Sequence, residues 1–300
     1  MSVDLQYDYA AVTATLDKFS QADIDALKEW TVNADKSKYI PKDLSSNQLV
    51  YFYNACYGDV DKAKTCIEKY YSYRKSASDF FDNRNVDSDE LKPLVTDILE
   101  FAVLGQSVEG YDVVFHRLYN TEPSKYNFEL GCRLLFMTID SCLTKRGPSP
   151  GIIFLFDMRG VKLGHLTRVG LSHLRKFFQF VQEAMPVRMK AIHVLNTEAL
   201  VDKLILLIKP FMDKKFYDML KFHQKDENLD SFYEKVIPRS SLPSDFGGTL
   251  SDLRTINAQN TENLRSLQPY FKAEEAQRFA VLPNKKGDKV EDSFKSLDID

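Results

Sequence analysis

The stretch at residues 186–212, PVRMKAIHVLNTEALVDKLILLIKPFM, decides how this chain is read. Arg188 and Lys190 lead into the apolar run Ala191-Ile192-His193-Val194-Leu195, which reads as a strand. Asn196-Thr197-Glu198 offers cap chemistry, and the segment after it is apolar around most of a helix's circumference. Pro210 ends or kinks that segment, having no N–H to give to the carbonyl of Leu206. On a helix Leu200, Leu204, Leu207 and Phe211 make one stripe, and Val201, Ile205, Ile208 and Met212 make a second beside it. Only Asp202, Lys203 and Lys209 mark a polar edge. A helix with two apolar faces needs two apolar neighbours.

One candidate neighbour lies upstream. Residues 172–185 place Leu174, Phe177, Phe178, Val181 and Met185 at helical spacing, and Pro186 stops that helix. Ile152-Ile153-Phe154-Leu155-Phe156 is a continuous apolar run, as in strands buried on both faces. A helix over 125–143 carries Phe128, Cys132, Leu135, Ile139 and Cys142. Residues 101–104 and 113–118 flank the stretch from Gly105 to Asp112 and read as a hairpin or adjacent strands. Residues 216–223 read as one more strand and 229–236 as a short helix. Strands alternating with helices predict an α/β fold with a mainly parallel sheet and right-handed crossovers.

Ahead of this lies an all-helical module. Residues 13–34 read as one amphipathic helix with Leu16, Phe19, Ile24, Leu27 and Trp30 on its apolar side. Ser45 or Ser46 can cap a helix carrying Leu49, Phe52 and Cys56, and Gly58-Asp59 breaks and recaps the chain before a third. The expected division is a helical bundle at 1–85, an α/β domain at 86–250 and a polar C-terminal tail at 251–300. That tail is expected to be disordered from Asn284-Lys285-Lys286-Gly287-Asp288-Lys289 onward.

Composition narrows the function classes. The 300 residues are 44% hydrophobic and 28% charged with net charge −3, so a large core is available and a general nucleic-acid binder is disfavoured. No apolar run reaches the roughly 18–20 residues that cross a membrane. The acidic start MSVDLQYDYA has neither signal-peptide pattern nor a myristoylation glycine, so the expected location is cytoplasmic, peripheral at membranes. Cys56, Cys66, Cys132 and Cys142 show no CxxC and no histidine at metal spacing, and read as structural thiols. Glycine loops for phosphate, nucleophile elbows and zinc motifs are missing from the sequence. Asp157 ends a strand without a partner acid and reads as part of a structural turn, Phe156-Asp157-Met158-Arg159-Gly160. His193 reads as a satisfied core residue, with ligand contact as the sharper alternative. A non-enzyme with no catalytic residue, metal or cofactor is expected.

Several stretches together resemble the CRAL-TRIO lipid-binding family, on the branch of the α-tocopherol transfer protein and the cellular retinaldehyde-binding protein. They are LVYFYNACYGDVDKAKTCIEKYYSYR at 49–74, GIIFLFDMRG at 151–160, PVRMKAIHVLN at 186–196, Ile208-Lys209-Pro210-Phe211, and Leu242-Pro243 followed by Gly247-Gly248. The resemblance implies an N-terminal helical bundle, then an α/β domain with a deep apolar pocket under a helical gate. It also implies carriage of one lipid of tocopherol, retinoid or carotenoid type.

Carried over residue by residue, the resemblance puts Ile152, Phe154, Phe156, Phe177, Phe180, Val181, Ile192, Val201, Ile205 and Ile208 in the pocket wall. The same carry-over turns Leu200, Leu204, Leu207 and Phe211 outward to a membrane. It gives Arg188, Lys190 and Lys215 to a phosphoinositide headgroup, although Cys56 and Met219 stand where such relatives have arginines. Three functions follow as expectations: a lipid carrier loading and unloading at membranes, a phosphoinositide-responsive exchanger or sensor, and an interaction module whose pocket has closed around its phenylalanines.

Overall fold

The structure, a computed structural model, describes residues 3–198 and 200–281. A five-stranded sheet runs in the order β1 (Leu99–Val103), β2 (Asp112–Leu118), β3 (Ile152–Asp157), β4 (Met189–Thr197), β5 (Leu220–Gln224). β1 and β2 are antiparallel and the remaining pairs parallel. The helix Phe128–Arg146 connects β2 to β3, Leu171–Glu183 connects β3 to β4, and Leu200–Ile208 begins the passage from β4 to β5. The α/β expectation therefore holds, with a mostly parallel sheet behind a helical N-terminal region.

Strand alternation divides the sheet's two faces between two cores. Ile152 and Phe154 of β3, with Val114 of β2 and Ile192 and Val194 of β4, pack with the connecting helices and the N-terminal module. Ile153 and Leu155, with Val113, Phe115 and Leu195, point the other way onto Phe232, Ile237, Leu242 and Ile256. Because both faces are covered, β3 could be apolar at each position from Ile152 to Phe156.

Local chemistry sets the boundaries in the N-terminal module. The single helix expected over 13–34 is two, Tyr9–Thr13 and Gln21–Asn33, because the Ser20 side chain accepts from the Asp23 N–H and starts the second. Ser45 caps Ser46–Ala55 reciprocally with Gln48, and Asp59 caps Val60–Ser76. The strand expected over 216–223 is likewise split. Asp213 accepts from the Phe216 N–H and opens a helical turn, Lys214–Tyr217, so β5 begins only at Leu220.

The C-terminal segment departs furthest from expectation. Residues expected as a polar tail form two helices, Leu253–Ser266 and Gln268–Phe279, while the tail opening at Asn284 lies outside the described residues. Leu253, Ile256, Asn257, Asn260 and Leu264 form the buried stripe of the first helix. Asn257 covers the open edge of β1, accepting from the Phe101 N–H at 2.9 Å and donating to the Val95 carbonyl at 3.1 Å. Its loss leaves a buried donor and acceptor unpaired, so Asn257→Ala is expected to lower stability by about 1–3 kcal/mol. An earlier urea midpoint at unchanged slope would show this.

The second helix closes a buried ion cluster. Arg74 Nη2 donates to Asp140 Oδ1 at 2.8 Å and Arg84 Nη1 to Asp140 Oδ2 at 2.9 Å. Arg74, Arg84 and Arg278 all donate to Glu274. All five side chains are buried, and they join the N-terminal module, the Phe128–Arg146 helix and the C-terminal helix at one point.

Candidate functional site: an apolar cavity under a tethered helix

Between the helix-covered face of the sheet and the Leu200–Ile208 helix lies a cavity of about 250 Å³. Its floor comes from strand positions that alternate toward one face: Phe154 and Phe156 of β3, Ile192 and Val194 of β4, and His116 of β2. Register explains the grouping, since Val114 pairs with Phe154 and His116 with Phe156. One wall is Leu174, Phe177, Phe178 and Val181, a helical stripe of Leu171–Glu183. The lid is Leu204, Leu207 and Ile208. Among the described lining residues there is no lysine or arginine.

Six of the ten expected wall residues line this cavity: Phe154, Phe156, Phe177, Val181, Ile192 and Ile208. Four do not. Ile152 lines a second, water-sized crevice beside Arg188. Phe180 turns away from the cavity, packing on Tyr70 and Phe81 of the N-terminal module and on Phe136 of the Phe128–Arg146 helix. Val201 and Ile205 are half-buried and stand clear of the cavity wall.

The lid helix is rotated from its expected setting. Leu204 and Leu207, expected outward with Leu200 and Phe211, line the cavity, and Phe211 packs on the main core. Leu200 is half-buried and outside the lining, while Leu206 is the outward leucine, 75% exposed. At about 100° per residue, Asp202, Lys203, Leu206 and Lys209 share one arc, and Leu204 stands opposite its centre. Solvation of three charges fixes the outer face more firmly than the division into two apolar stripes.

Polar contacts tether both ends of this helix. At the entrance Asn196 takes a left-handed conformation, φ 54°, and donates from Nδ2 to Asp157 Oδ1 at 2.8 Å. The same carboxylate accepts from the Arg159 N–H and Nε, so Asp157 does build the turn expected of it. Gly160 completes that turn at φ 77°, where a Cβ would collide with Thr121. At Pro210 the chain makes a single tight turn, Lys209–Phe211, and Gln182 holds its end. Gln182 Nε2 donates to the Phe211 carbonyl at 3.0 Å and its Oε1 accepts from the Asp213 N–H at 2.8 Å. Between these tethers no residue of the lid helix is fully buried.

Two histidines that the sequence did not single out line the cavity. His116 stacks on Phe101 with centroids 4.1 Å apart, and its Nδ1 donates to the Glu100 carbonyl at 3.3 Å. Burial depresses its pKa to about 4. The other, His165, sits on the short helix Leu163–Leu166. The signal for His116 was its alternation with Val114 along β2; His165 offered none. His193, flagged as a core residue, lies on the opposite face, with His223 Nε2 2.9 Å from its Nδ1.

The expected headgroup residues are not equivalent. Arg188 is buried, donating from Nε to the Asn54 carbonyl at 2.7 Å and from Nη1 to Asp17 at 3.1 Å, with Tyr57 against its guanidinium. Lys190 is half-buried between Tyr57 and Tyr111, and Lys215 is exposed.

Known proteins supply the comparison. Residues 101–248 match the family model described as the CRAL/TRIO domain, and residues 17–91 match the Pinta-like, UBA domain. A human protein named alpha-tocopherol transfer protein-like is 30% identical over 213 residues, covering 69% of this chain and 59% of that protein. The mouse protein of that name is 26% identical over 234 residues, covering 78% of this chain and 66% of its own. Clavesin-1 of Xenopus laevis is 24% identical over 185 residues, 61% of this chain and 55% of that one. The chain thus spans about three fifths of the length of the first of these relatives.

Proposed function

Since the chain belongs to the CRAL-TRIO family, we propose that it is a non-enzymatic carrier of one hydrophobic lipid, held behind the Leu200–Ile208 helix and exchanged at membranes. The observation that carries this reading is the apolar cavity closed by a helix fixed mainly at its two ends. An isoprenoid-like ligand of tocopherol, retinoid or carotenoid type suits walls made of phenylalanine and branched aliphatic side chains. Burying some 16 methylene-like carbons favours the bound state by on the order of 13 kcal/mol before association costs. Escape into water is then slow, and exchange needs a membrane against which the lid can move.

Leu206 provides the membrane contact: it is 75% exposed, at the centre of the lid's outer arc, between Lys203 and Lys209. An apolar anchor flanked by cations suits an anionic lipid surface. The phosphoinositide reading stays second, because Arg188 is already committed to Asp17 and Asn54, leaving Lys190 and Lys215 for a headgroup. Fluorescence-detected transfer of retinol between phosphatidylcholine vesicles tests the carrier. The expected result is transfer in proportion to protein, slowed at least about tenfold by Leu206→Glu with lipid occupancy retained. Transfer at the protein-free rate would refute the reading.

A further inference from the structure

A ring in the cavity wall carries a polar atom that the fold leaves without a partner. Among the described residues, Nε2 of His165 is buried and makes no hydrogen bond, and the residue is 3% exposed. The ring lines the cavity, with the Tyr126 ring edge-on at 5.6 Å in the same wall. The other ring nitrogen is engaged. The Lys162 N–H donates to Nδ1 at 2.9 Å. The Lys162 carbonyl, 3.3 Å from Nδ1, already accepts the backbone N–H of His165 at 2.9 Å. Nδ1 is therefore the acceptor, and the neutral ring carries its proton on Nε2. Burial also holds the pKa of the ring below its ordinary value, which keeps it neutral at pH 7.

We propose that the Nε2–H of His165 is the donor for the polar end of the carried lipid, and that this lipid is neutral and oxygen-bearing: an alcohol, ether or carbonyl compound. This rests on the carrier reading and adds the class of ligand. A pure hydrocarbon would leave a buried N–H facing carbon, which polar groups in protein interiors rarely do. A phosphate or carboxylate would bring its charge into a wall where the described lining offers no cation. Asp157, the acidic residue of the lining, is occupied by Arg159 and Asn196.

Three probes of one shape separate these cases: farnesol, its methyl ether, which accepts but cannot donate, and the hydrocarbon farnesene. Equilibrium dialysis against the full chain is expected to show the alcohol and the ether bound at least about tenfold more tightly than the hydrocarbon. The preference should fall to about one in His165→Phe and return in His165→Gln, with thermal melts confirming that each variant folds. Equal binding of all three probes, or a preference that survives His165→Phe, would overturn the proposal while leaving a carrier of hydrocarbon chains standing. Failure of all three to bind would remove the carrier reading along with it. Should His165→Phe not fold, the wild-type histidine resonances decide. The His165 Nε2 proton is expected to move downfield on adding the ether, and an unmoved proton overturns the assignment.

Discussion

Asp140→Asn is expected to lower folding stability by about 3–5 kcal/mol. The carboxylate of Asp140 faces Arg74 and Arg84, both fully buried, and the amide would leave two guanidinium groups short of countercharge. Removing one partner of a buried ion cluster costs far more than the cluster contributes relative to an apolar core, because the remaining charges have lost their water. Glu274→Gln should behave similarly, since Arg74, Arg84 and Arg278 converge on it. Burial raises the pKa of Glu274, but Arg84, Arg278 and Arg74 outweigh that and hold it at about 2, against an ordinary 4.5.

A depressed carboxylate pKa adds stability that is complete above about 4.5 and lost as the pH falls toward 2. His116 and His193 act in an earlier window. Burial holds both near 4, so the unfolded chain binds more protons between about pH 6.5 and 4 and stability falls on acidification there. Urea titrations at pH 7, 5.5 and 3.5 should show decline in both windows, and Glu274→Gln should remove most of the second. A wild-type stability flat from pH 7 to pH 3.5 would contradict the arrangement.

Leu207→Asp is expected to weaken lipid retention at least about a hundredfold while Leu206→Glu retains lipid. Leu207 lines the cavity and Leu206 faces away, so the adjacent substitutions put a carboxylate into apolar surroundings in one case and into solvent in the other. The outcome separates the observed setting of the lid from the setting expected by carry-over, in which Leu207 would face outward and tolerate charge. Lipid extraction from each purified variant measures it directly.

How much of this was legible in the chain depended on how each residue is buried. β3 and β4 were readable because short runs such as Ile152–Phe156 are apolar on both faces, as strands between two layers require. The Leu171–Glu183 helix was readable from its stripe, though Phe180 lies on the flank that meets the N-terminal module rather than the cavity. Periodicity finds a buried face but cannot say what covers it. The C-terminal helices were missed because they bury asparagine, glutamate and arginine, whose partners at Val95, Phe101, Arg74 and Arg84 are distant in sequence. The cavity histidines were hidden for the same reason, since a lone histidine shows nothing until its neighbours are known. The lid's rotation was recoverable from Asp202, Lys203 and Lys209, whose arc places Leu204 inward.

One neutral lipid is expected to occupy the cavity beneath the Leu200–Ile208 helix. Native mass spectrometry of the full chain, purified without detergent from a lipid-rich host, is the decisive test. The expected spectrum shows a single added lipid mass at one-to-one stoichiometry in the wild type, retained in Leu206→Glu and absent in Leu207→Asp. A wild-type chain that stays at its bare mass, both as purified and after incubation with retinol, would contradict it.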